Sequence, residues 1–252
     1  MFLAIDIGNT TTAFGLLKNN KIIGVVRMDT AGNQRQLKNN LTQMLRVLVK
    51  KYGGPKRVVI CSVVPKALVV IEPLVNRFFN VNALVVGRDV SVPMANRYRN
   101  PKQVGQDRLI GAYAAMMLYG LPAIVIDLGT AITFDAVSAQ GEYLGGVIVP
   151  GLRLSVESLF LKTALLPNIA IKAPRSIIGK DTEESILSGI FYGYGSLCRG
   201  LIELISKQLK SKPKVIMTGG HTHLMKKFIS PEIRIIDEHL VFKGMNLLDK
   251  NF

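Results

Sequence analysis

The sequence contains no apolar run of the roughly 18 residues that a membrane-spanning helix needs, although 48% of its 252 residues are hydrophobic. It opens directly into an apolar segment, without the basic stretch and small-residue cleavage site of a secretory signal. Only two cysteines are present, Cys61 and Cys198, and their apolar surroundings favour buried thiols over a disulfide or a metal site. We therefore expect a cytoplasmic protein with a substantial core and no membrane partner.

Acidic residues are scarce, since 17 aspartates and glutamates stand against 32 lysines and arginines and leave a formal charge of +15. The basic residues are scattered, with no Lys/Arg-rich run and no aromatic RNA-binding motif. None occurs between Arg108 and Arg153, which suits a buried, strand-rich core. A solvated basic surface that attracts anionic substrates or weakly binds polyanions explains the charge better than a nucleic-acid footprint. We expect no specific nucleic-acid partner.

The N-terminal segment Leu3–Ala13 is an apolar run that delivers one carboxylate, Asp6, into a glycine and a cluster of hydroxyls. A strand followed by such a turn suits phosphate binding, because Gly8 lets backbone N–H groups approach an anion and Asn9 adds a neutral donor. Asp6 would then hold a hydrated Mg²⁺ ion. Taken alone, the motif also fits an ordinary β-hairpin with a polar turn.

The same plan recurs about half a chain later, where the strand-like segment from Ala123 delivers Asp127 into Gly129 and Thr130. Both copies continue into an apolar return strand, a polar turn and a third strand. This duplication predicts an α/β protein of two similar domains, at residues 1–118 and 119–252. Two such halves resemble the actin-like (ribonuclease H-like) ATPase fold, which implies that the active site lies in the cleft between the domains.

Hydrophobic periodicity predicts helices at residues 36–52, 67–79, 109–118 and 152–161, and a further helix that begins near Asp181. This last helix contains glycines at positions 189, 193, 195 and 200. Because glycine lowers helix propensity, we interpret them as sites of very close packing against a neighbour.

Asp107 and Arg108 stand side by side at the end of an irregular, proline-containing stretch, just before the helix predicted from Leu109. A helix N-cap with a surface ion pair would explain this pair. A catalytic site would explain it as well, because hydroxyl kinases use a carboxylate to accept the proton and a cation to hold the acceptor.

Taken together, the motifs resemble those of type III pantothenate kinases over nearly the whole chain. In chain order they are Asp6-x-Gly8-Asn9-Thr10, Ser62-Val-Val-Pro65, Tyr98-x-x-Pro101-x-x-x-Gly105-x-Asp107-Arg108, Asp127-x-Gly129-Thr130-Ala131-x-Thr133, Gly145-Gly146, Pro150-Gly151, Thr163-Ala164-x-Leu166-Pro167 and Thr218-Gly219-Gly220. Each motif is short, but their order and spacing together are highly specific. The segment Asp237–Gly244 and the strongly basic charge depart from the family pattern.

The resemblance implies ATP-dependent phosphorylation of pantothenate to 4'-phosphopantothenate, the first step of coenzyme A biosynthesis, with Mg²⁺ accompanying the ATP. It implies a nucleotide site formed by Asp6, Ile7, Gly8, Asn9, Thr10, Thr11, Thr12, Ala13 and Thr130. It places a monovalent cation, K⁺ or NH₄⁺, on Asp127. The pantothenate pocket would comprise Tyr98, Gly105, Gln106, Asp107, Arg108 and Thr182. Within it, Asp107 would be the general base, and Arg108 would pair with the substrate carboxylate.

The resemblance also implies a homodimer in which residues of the Thr182 type reach the neighbour's site, with the helix from Ser185 as the candidate subunit contact. Two other functions remain open at this point. One is a regulatory accessory protein on the same fold, for which the basic charge would be suited. The other is an actin-like kinase of another small carboxylated acceptor. An enzyme is favoured by the presence of Asp6, Asp107, Arg108 and Asp127.

Overall fold

The computed structural model describes residues 1–229, 233 and 235–249. Two compact units are distinguished, each with its own five-stranded sheet. The first unit comprises Met1–Met94, Arg99–Ala114 and the segment that begins at His239, and the second comprises Ala95–Tyr98 and Ala115–Glu238. The single boundary after residue 118 that the sequence suggested stays a prediction.

The first sheet has the strand order β3-β2-β1-β4-β5. Its strands are β1 (Phe2–Ile7), β2 (Thr11–Lys18), β3 (Lys21–Asp29), β4 (Arg57–Ser62) and β5 (Leu84–Val85). The first three form an antiparallel meander, and β4 and β5 extend the sheet in parallel from β1. Parallel pairing requires helical crossovers, and α1 and α2 supply them here. The helices that begin in this unit are α1 (Gln34–Tyr52), α2 (Pro65–Phe79), α3 (Gln106–Tyr119) and α7 (Leu240–Asp249).

The second sheet repeats this topology with the order β10-β9-β6-β7-β8. Its strands are β6 (Ala123–Leu128), β7 (Ala131–Val137), β8 (Tyr143–Pro150), β9 (Lys214–Thr218) and β10 (Ile235–Ile236). The helices of this unit are α4 (Leu152–Lys162), α5 (Thr182–Leu209) and α6 (Thr222–Ile229). Among the described residues, no helix is long and apolar enough to cross a membrane.

The duplication extends to the register of the strands. Asp6 on β1 pairs with Cys61 on the parallel strand β4, and Asp127 on β6 pairs with Thr218 on β9. The meanders of both units also contain a register shift at the same place, between the second strand and its outer neighbour. Both motif carboxylates therefore stand at the end of a buried central strand, as the duplicated α/β fold predicted from the sequence requires.

Two local features differ from the sequence predictions. Helix α3 begins at Gln106 rather than Leu109, so Asp107 and Arg108 lie within its first turn instead of before it. Of the four glycines of α5, only Gly195 packs closely against another described part of the chain, since a Cβ there would collide with the backbone of Phe228. The other three, at positions 189, 193 and 200, would place a Cβ in open space. Close packing within the chain thus explains one of these glycines.

Candidate active site

The turn after β1 is shaped by backbone hydrogen bonds that leave its tip exposed. The Gly8 N–H donates to the Thr11 carbonyl at 3.1 Å, and the Thr30 N–H donates to the Thr10 carbonyl at 2.9 Å. Asn9 and Thr10 are exposed at the tip, and Asp6 is partly exposed at its base. The turn therefore offers polar side chains and backbone at the place where the sequence predicted phosphate binding.

Two residues of this predicted nucleotide segment face the core instead of solvent. The side chain of Ile7 is fully buried, and so is that of Thr12. The Thr12 hydroxyl shares a 2.8 Å hydrogen bond with the hydroxyl of Thr30. Their side chains therefore stabilise the turn, and only their backbone is available to a ligand.

Asp107 lies in the first turn of α3, and its carboxylate is held against the backbone. Its Oδ1 atom accepts a 2.8 Å hydrogen bond from the Arg108 N–H. Gly105 leaves room for this carboxylate, because a Cβ at that position would collide with Oδ1. Burial raises the pKa of Asp107, while the N–H and the positive charge of Arg108 lower it. Burial is the larger effect, so the pKa of Asp107 lies above its ordinary value.

The end of β4 links the Asp6 turn to the segment before Asp107. Cys61 is fully buried on β4, next to Asp6 in the sheet register. Burial raises the pKa of its thiol well above the ordinary value, and the negative charges of Asp6 and Asp107 raise it further. The Val63 N–H donates to the Ile7 carbonyl at 3.1 Å, and the Val63 side chain would lie 3.5 Å from a Cβ at Gly105. The two segments therefore meet beside Val63, although they are about a hundred positions apart in the chain.

Asp127 occupies the equivalent position in the second unit and is closely surrounded by glycine backbone. Gly219 has a φ of +94°, and a Cβ on it would collide with the Asp127 carboxylate. A Cβ on Gly129 would lie 3.4 Å from Oδ1 of Asp127 and 3.5 Å from the carbonyl oxygen of Ala131. A carboxylate with a backbone carbonyl oxygen nearby is a donor set that suits a hard cation.

Tyr98 is positioned by a short extended segment that adds to β8. The Tyr143 N–H donates to the Ala95 carbonyl and the Arg97 N–H donates to the Tyr143 carbonyl, both at 2.8 Å. The half-buried Tyr98 ring lies over Gly145, where a Cβ would approach it to 3.3 Å. Tyr98 thus belongs to the second unit, whereas Gly105, Gln106 and the residues after them belong to the first.

Thr182 is the first residue of α5 and is exposed. The N-cap residue Asp181 accepts a 2.7 Å hydrogen bond from the Glu184 N–H, which fixes the start of the helix. Thr182 lines a wide cavity of about 640 Å³ together with Leu159, Leu166 and Ile186.

The predicted site residues are divided between the two units. The first unit contains the Asp6 turn and the residues Gly105 to Arg108, and the second contains Tyr98, Asp127, Thr130 and Thr182. Sequence reasoning did not identify Thr30 or Gly87, which contacts Gln106. Both act through contacts that are distant in the chain.

The topology belongs to the class of duplicated actin-like ATPases and sugar kinases. A solved structure of an inorganic polyphosphate/ATP-glucomannokinase from Arthrobacter sp. strain KM matches with a TM-score of 0.53 and 16% identity, over 100% of this chain and 99% of that one. A Baf family protein from Campylobacter jejuni matches with a TM-score of 0.62 and 20% identity, over 99% and 98% of the two chains. These similarities confirm the predicted fold class.

The family model described as type III pantothenate kinase matches residues 2–204. A type III pantothenate kinase from Sulfurihydrogenibium sp. (strain YO3AOP1) is 39% identical over 252 residues, covering 99% of this chain and 100% of the relative. Another from Persephonella marina (strain DSM 14350 / EX-H1) is 40% identical over 247 residues, covering 97% and 96%.

The chain belongs to the type III pantothenate kinase family. It is therefore a phosphotransferase that uses ATP to phosphorylate pantothenate in coenzyme A biosynthesis, and the resemblance seen in the sequence is confirmed. Family membership favours the enzyme over the regulatory protein that the sequence had left open.

Proposed function

We propose that Asp107 is the general base of pantothenate phosphorylation and that Arg108 holds the carboxylate of the substrate. The observation that carries this proposal is the link that Val63 makes within the first unit: its N–H donates to the Ile7 carbonyl at 3.1 Å beside the Asp6 turn, and its side chain would lie 3.5 Å from a Cβ at Gly105. A base next to the turn that receives the nucleotide phosphates meets the first requirement of phosphoryl transfer, which is alignment of the acceptor with the transferred group.

The chemical step requires one proton acceptor. The primary hydroxyl oxygen of pantothenate forms a bond to the γ-phosphorus, the bond from that phosphorus to the bridging oxygen of ADP breaks, and Asp107 takes the hydroxyl proton. Burial raises the pKa of Asp107 toward the working pH, which increases its strength as a base. The N–H and the positive charge of Arg108 limit this increase.

Arg108 is suited to bind the carboxylate at the other end of pantothenate. It follows Asp107 directly in the first turn of α3, so the two side chains are offered by adjacent residues of one rigid helix. A guanidinium group binds a carboxylate through two parallel hydrogen bonds, which fixes the orientation of a flexible monoanion. This division of labour explains why the base and the cation are neighbours.

The Asp6 turn is assigned to the ATP phosphates. Asn9 and Thr10 are exposed donors at its tip, and the Gly8 backbone allows close approach of an anion. The oxygen ligands that Mg²⁺ prefers are available from Asp6, and the ion would neutralise charge on the phosphates. Thr130, exposed in the equivalent turn of the second unit, is assigned to the nucleotide as well.

Asp127 is assigned to the monovalent cation. Its carboxylate lies against the backbone of Gly219, where a Cβ would fill the space, and the neighbouring turn contributes carbonyl oxygens. These are the hard, oxygen-based donors that bind K⁺. The test is whether K⁺ raises the melting temperature of wild-type protein more than Na⁺ does, and whether Asp127→Asn abolishes the difference.

We also propose that the enzyme is a homodimer. The second unit exposes large apolar side chains on and after α4 and in the loop before α5: Leu159, Phe160, Leu161, Leu165, Ile177 and Ile178. Apolar surface of this extent usually marks an interaction site. A second copy of the chain would cover it beside Thr182, whose role in the neighbour's pocket depends on this contact. Fully active monomer in sedimentation experiments would contradict the assignment.

The pH dependence of kcat/KM tests the role of Asp107. We expect an acid limb whose midpoint lies above the ordinary range of an aspartate, because burial raises the pKa of this carboxyl. Arg108→Ala should raise KM for pantothenate and leave KM for ATP unchanged. Arg46→Ala, which removes an exposed arginine of α1, is the matched control and should change neither. A normal KM for pantothenate in Arg108→Ala would contradict the proposed carboxylate contact.

A further inference from the structure

The turn Val86–Val90 after β5, which we call the Gly87 turn, is closed by an unusually complete set of hydrogen bonds. The Gly87 N–H donates to the Val90 carbonyl at 2.7 Å, and the Asp89 N–H donates to the Val85 carbonyl at 2.8 Å. The Val85 N–H in turn donates to Oδ2 of Asp89 at 2.8 Å. Val86 and Val90 are buried, so the turn is fixed on both sides of its exposed tip.

Arg88 ties this turn to α2. Its guanidinium donates two hydrogen bonds to the carboxylate of Glu72, at 2.9 and 2.5 Å. It also donates to the carboxylate of Asp89 at 3.0 and 2.8 Å, and these hydrogen bonds lower the pKa of Asp89. Exposed ion pairs contribute little to stability, but a bidentate guanidinium fixes geometry. The tip of the Gly87 turn is therefore held at a defined place relative to α2.

The side chain of Gln106, the first residue of α3, lies directly on Gly87. A Cβ on Gly87 would be 2.8 Å from Cδ of Gln106 and 3.1 Å from its Cγ and Nε2 atoms. Gly87 also has a φ of +87°, which other L residues rarely adopt. Only glycine thus permits both this backbone and this contact.

We propose that Gly87 is a positioning residue for the acceptor pocket. By supporting the Gln106 side chain, it fixes the first turn of α3, which carries Asp107 and Arg108. The inference rests on the proposed assignment of this turn to pantothenate. A side chain at position 87 would push Gln106 out of its rotamer and disturb acceptor binding while leaving the Asp6 turn in place.

The experiment compares Gly87→Ala with Gly53→Ala. Gly53 has nearly the same φ, +85°, but a Cβ there would meet no atom within 4 Å. Both substitutions place alanine at a positive φ, but only Gly87→Ala adds a contact with Gln106. Only Gly87→Ala should raise KM for pantothenate, by about three- to tenfold, the range expected for a displaced rotamer. KM for ATP should stay at the wild-type value in both variants.

A double substitution identifies Gln106 as the mediator. In a Gln106→Ala background the new methyl group meets no amide, so adding Gly87→Ala should change KM for pantothenate no further. Additive effects would overturn the proposal, and so would an equal rise of KM in Gly53→Ala. Glu72→Ala, which releases Arg88 without touching Gly87, provides a second route and should raise the same KM by a smaller factor. An unchanged KM in that variant would remove the turn from this role.

Arg108→Ala separates this inference from the function on which it rests. If Arg108→Ala leaves KM for pantothenate unchanged, the assignment of the α3 turn fails and the role of Gly87 fails with it. If Arg108→Ala raises that KM and Gly87→Ala does not, the pocket assignment stands and only the role of Gly87 is refuted.

Discussion

The sharpest structural test of the site is the substitution Gly105→Ala. The backbone at Gly105 has no positive φ, so alanine is compatible with its conformation. A Cβ there would nevertheless collide with Oδ1 of Asp107 and lie 3.5 Å from the side chain of Val63. Because the Val63 contact is ordinary, the Asp107 carboxylate is the group that must move. Its hydrogen bond from the Arg108 N–H, 2.8 Å long, would be lost or distorted.

The expected magnitude follows from the role assigned to Asp107. A positioned general base contributes about 10²- to 10⁴-fold to the rate, and a misplacement of about 1 Å can cost roughly 10²-fold. We therefore expect kcat of Gly105→Ala to fall about 100-fold. Loss of one hydrogen bond costs about 1 kcal/mol, which corresponds to a decrease in melting temperature of roughly 2–4 °C for a chain of this size.

The assay is pantothenate-dependent release of ADP at saturating substrates, with Gly54→Ala as the matched control. Gly54 also lacks a positive φ, and a Cβ there would meet nothing within 4 Å. The control should keep wild-type turnover. If Gly105→Ala also turns over within about twofold of the wild type, the reasoning that ties the Asp107 carboxylate to the reaction is refuted.

Three further predictions concern ionisation, the cation and the dimer. Asp107→Asn should raise the melting temperature, and the gain over the wild type should be larger at neutral pH than at about pH 4. The reason is that the pKa of Asp107 is raised in the folded protein, so that ionisation of this carboxyl costs stability as the pH rises. An equal gain at both pH values would contradict this. Gly219→Ala should raise the K⁺ concentration needed for activation by about tenfold. Gly120→Ala is the matched control, because the φ of Gly120 is +93° but a Cβ there would meet no atom within 4 Å, and it should leave the required K⁺ concentration unchanged. The same K⁺ requirement in both variants would contradict cation binding by Asp127. Leu165→Glu, at a side chain that is 91% exposed, should shift sedimentation toward monomer, and an unchanged dimer would move the contact elsewhere.

The duplicated fold could be predicted because its signals are local. Each half contains an apolar strand, a turn with an aspartate and a glycine, and a meander. These patterns can be recognised from residues that are close together in the sequence. The predicted start of α3 was wrong, and the reason is also physical. Apolar periodicity begins only at Leu109, so a hydrophobic pattern does not detect the polar first turn, which contains Gln106 and Asp107.

The supporting residues of the site could not be predicted, because they act across the chain. Thr30 reaches Thr12, and Gly87 reaches Gln106, through contacts that no short motif encodes. The glycines of α5 were interpreted as one packing feature, yet among residues 1–229, 233 and 235–249 a close neighbour is found for Gly195 alone. A glycine in a helix signals that a side chain is not needed there, and only the three-dimensional arrangement shows why.

The most direct test of the central claim is the turnover of Asp107→Asn beside the wild type, measured as ADP release with and without pantothenate in the presence of Mg²⁺ and K⁺. Thermal unfolding confirms in parallel that the variant is folded. We predict pantothenate-dependent release by the wild type and a fall of roughly two to four orders of magnitude in the folded variant. Near-normal turnover by Asp107→Asn would contradict it and would remove Asp107 from the role of general base.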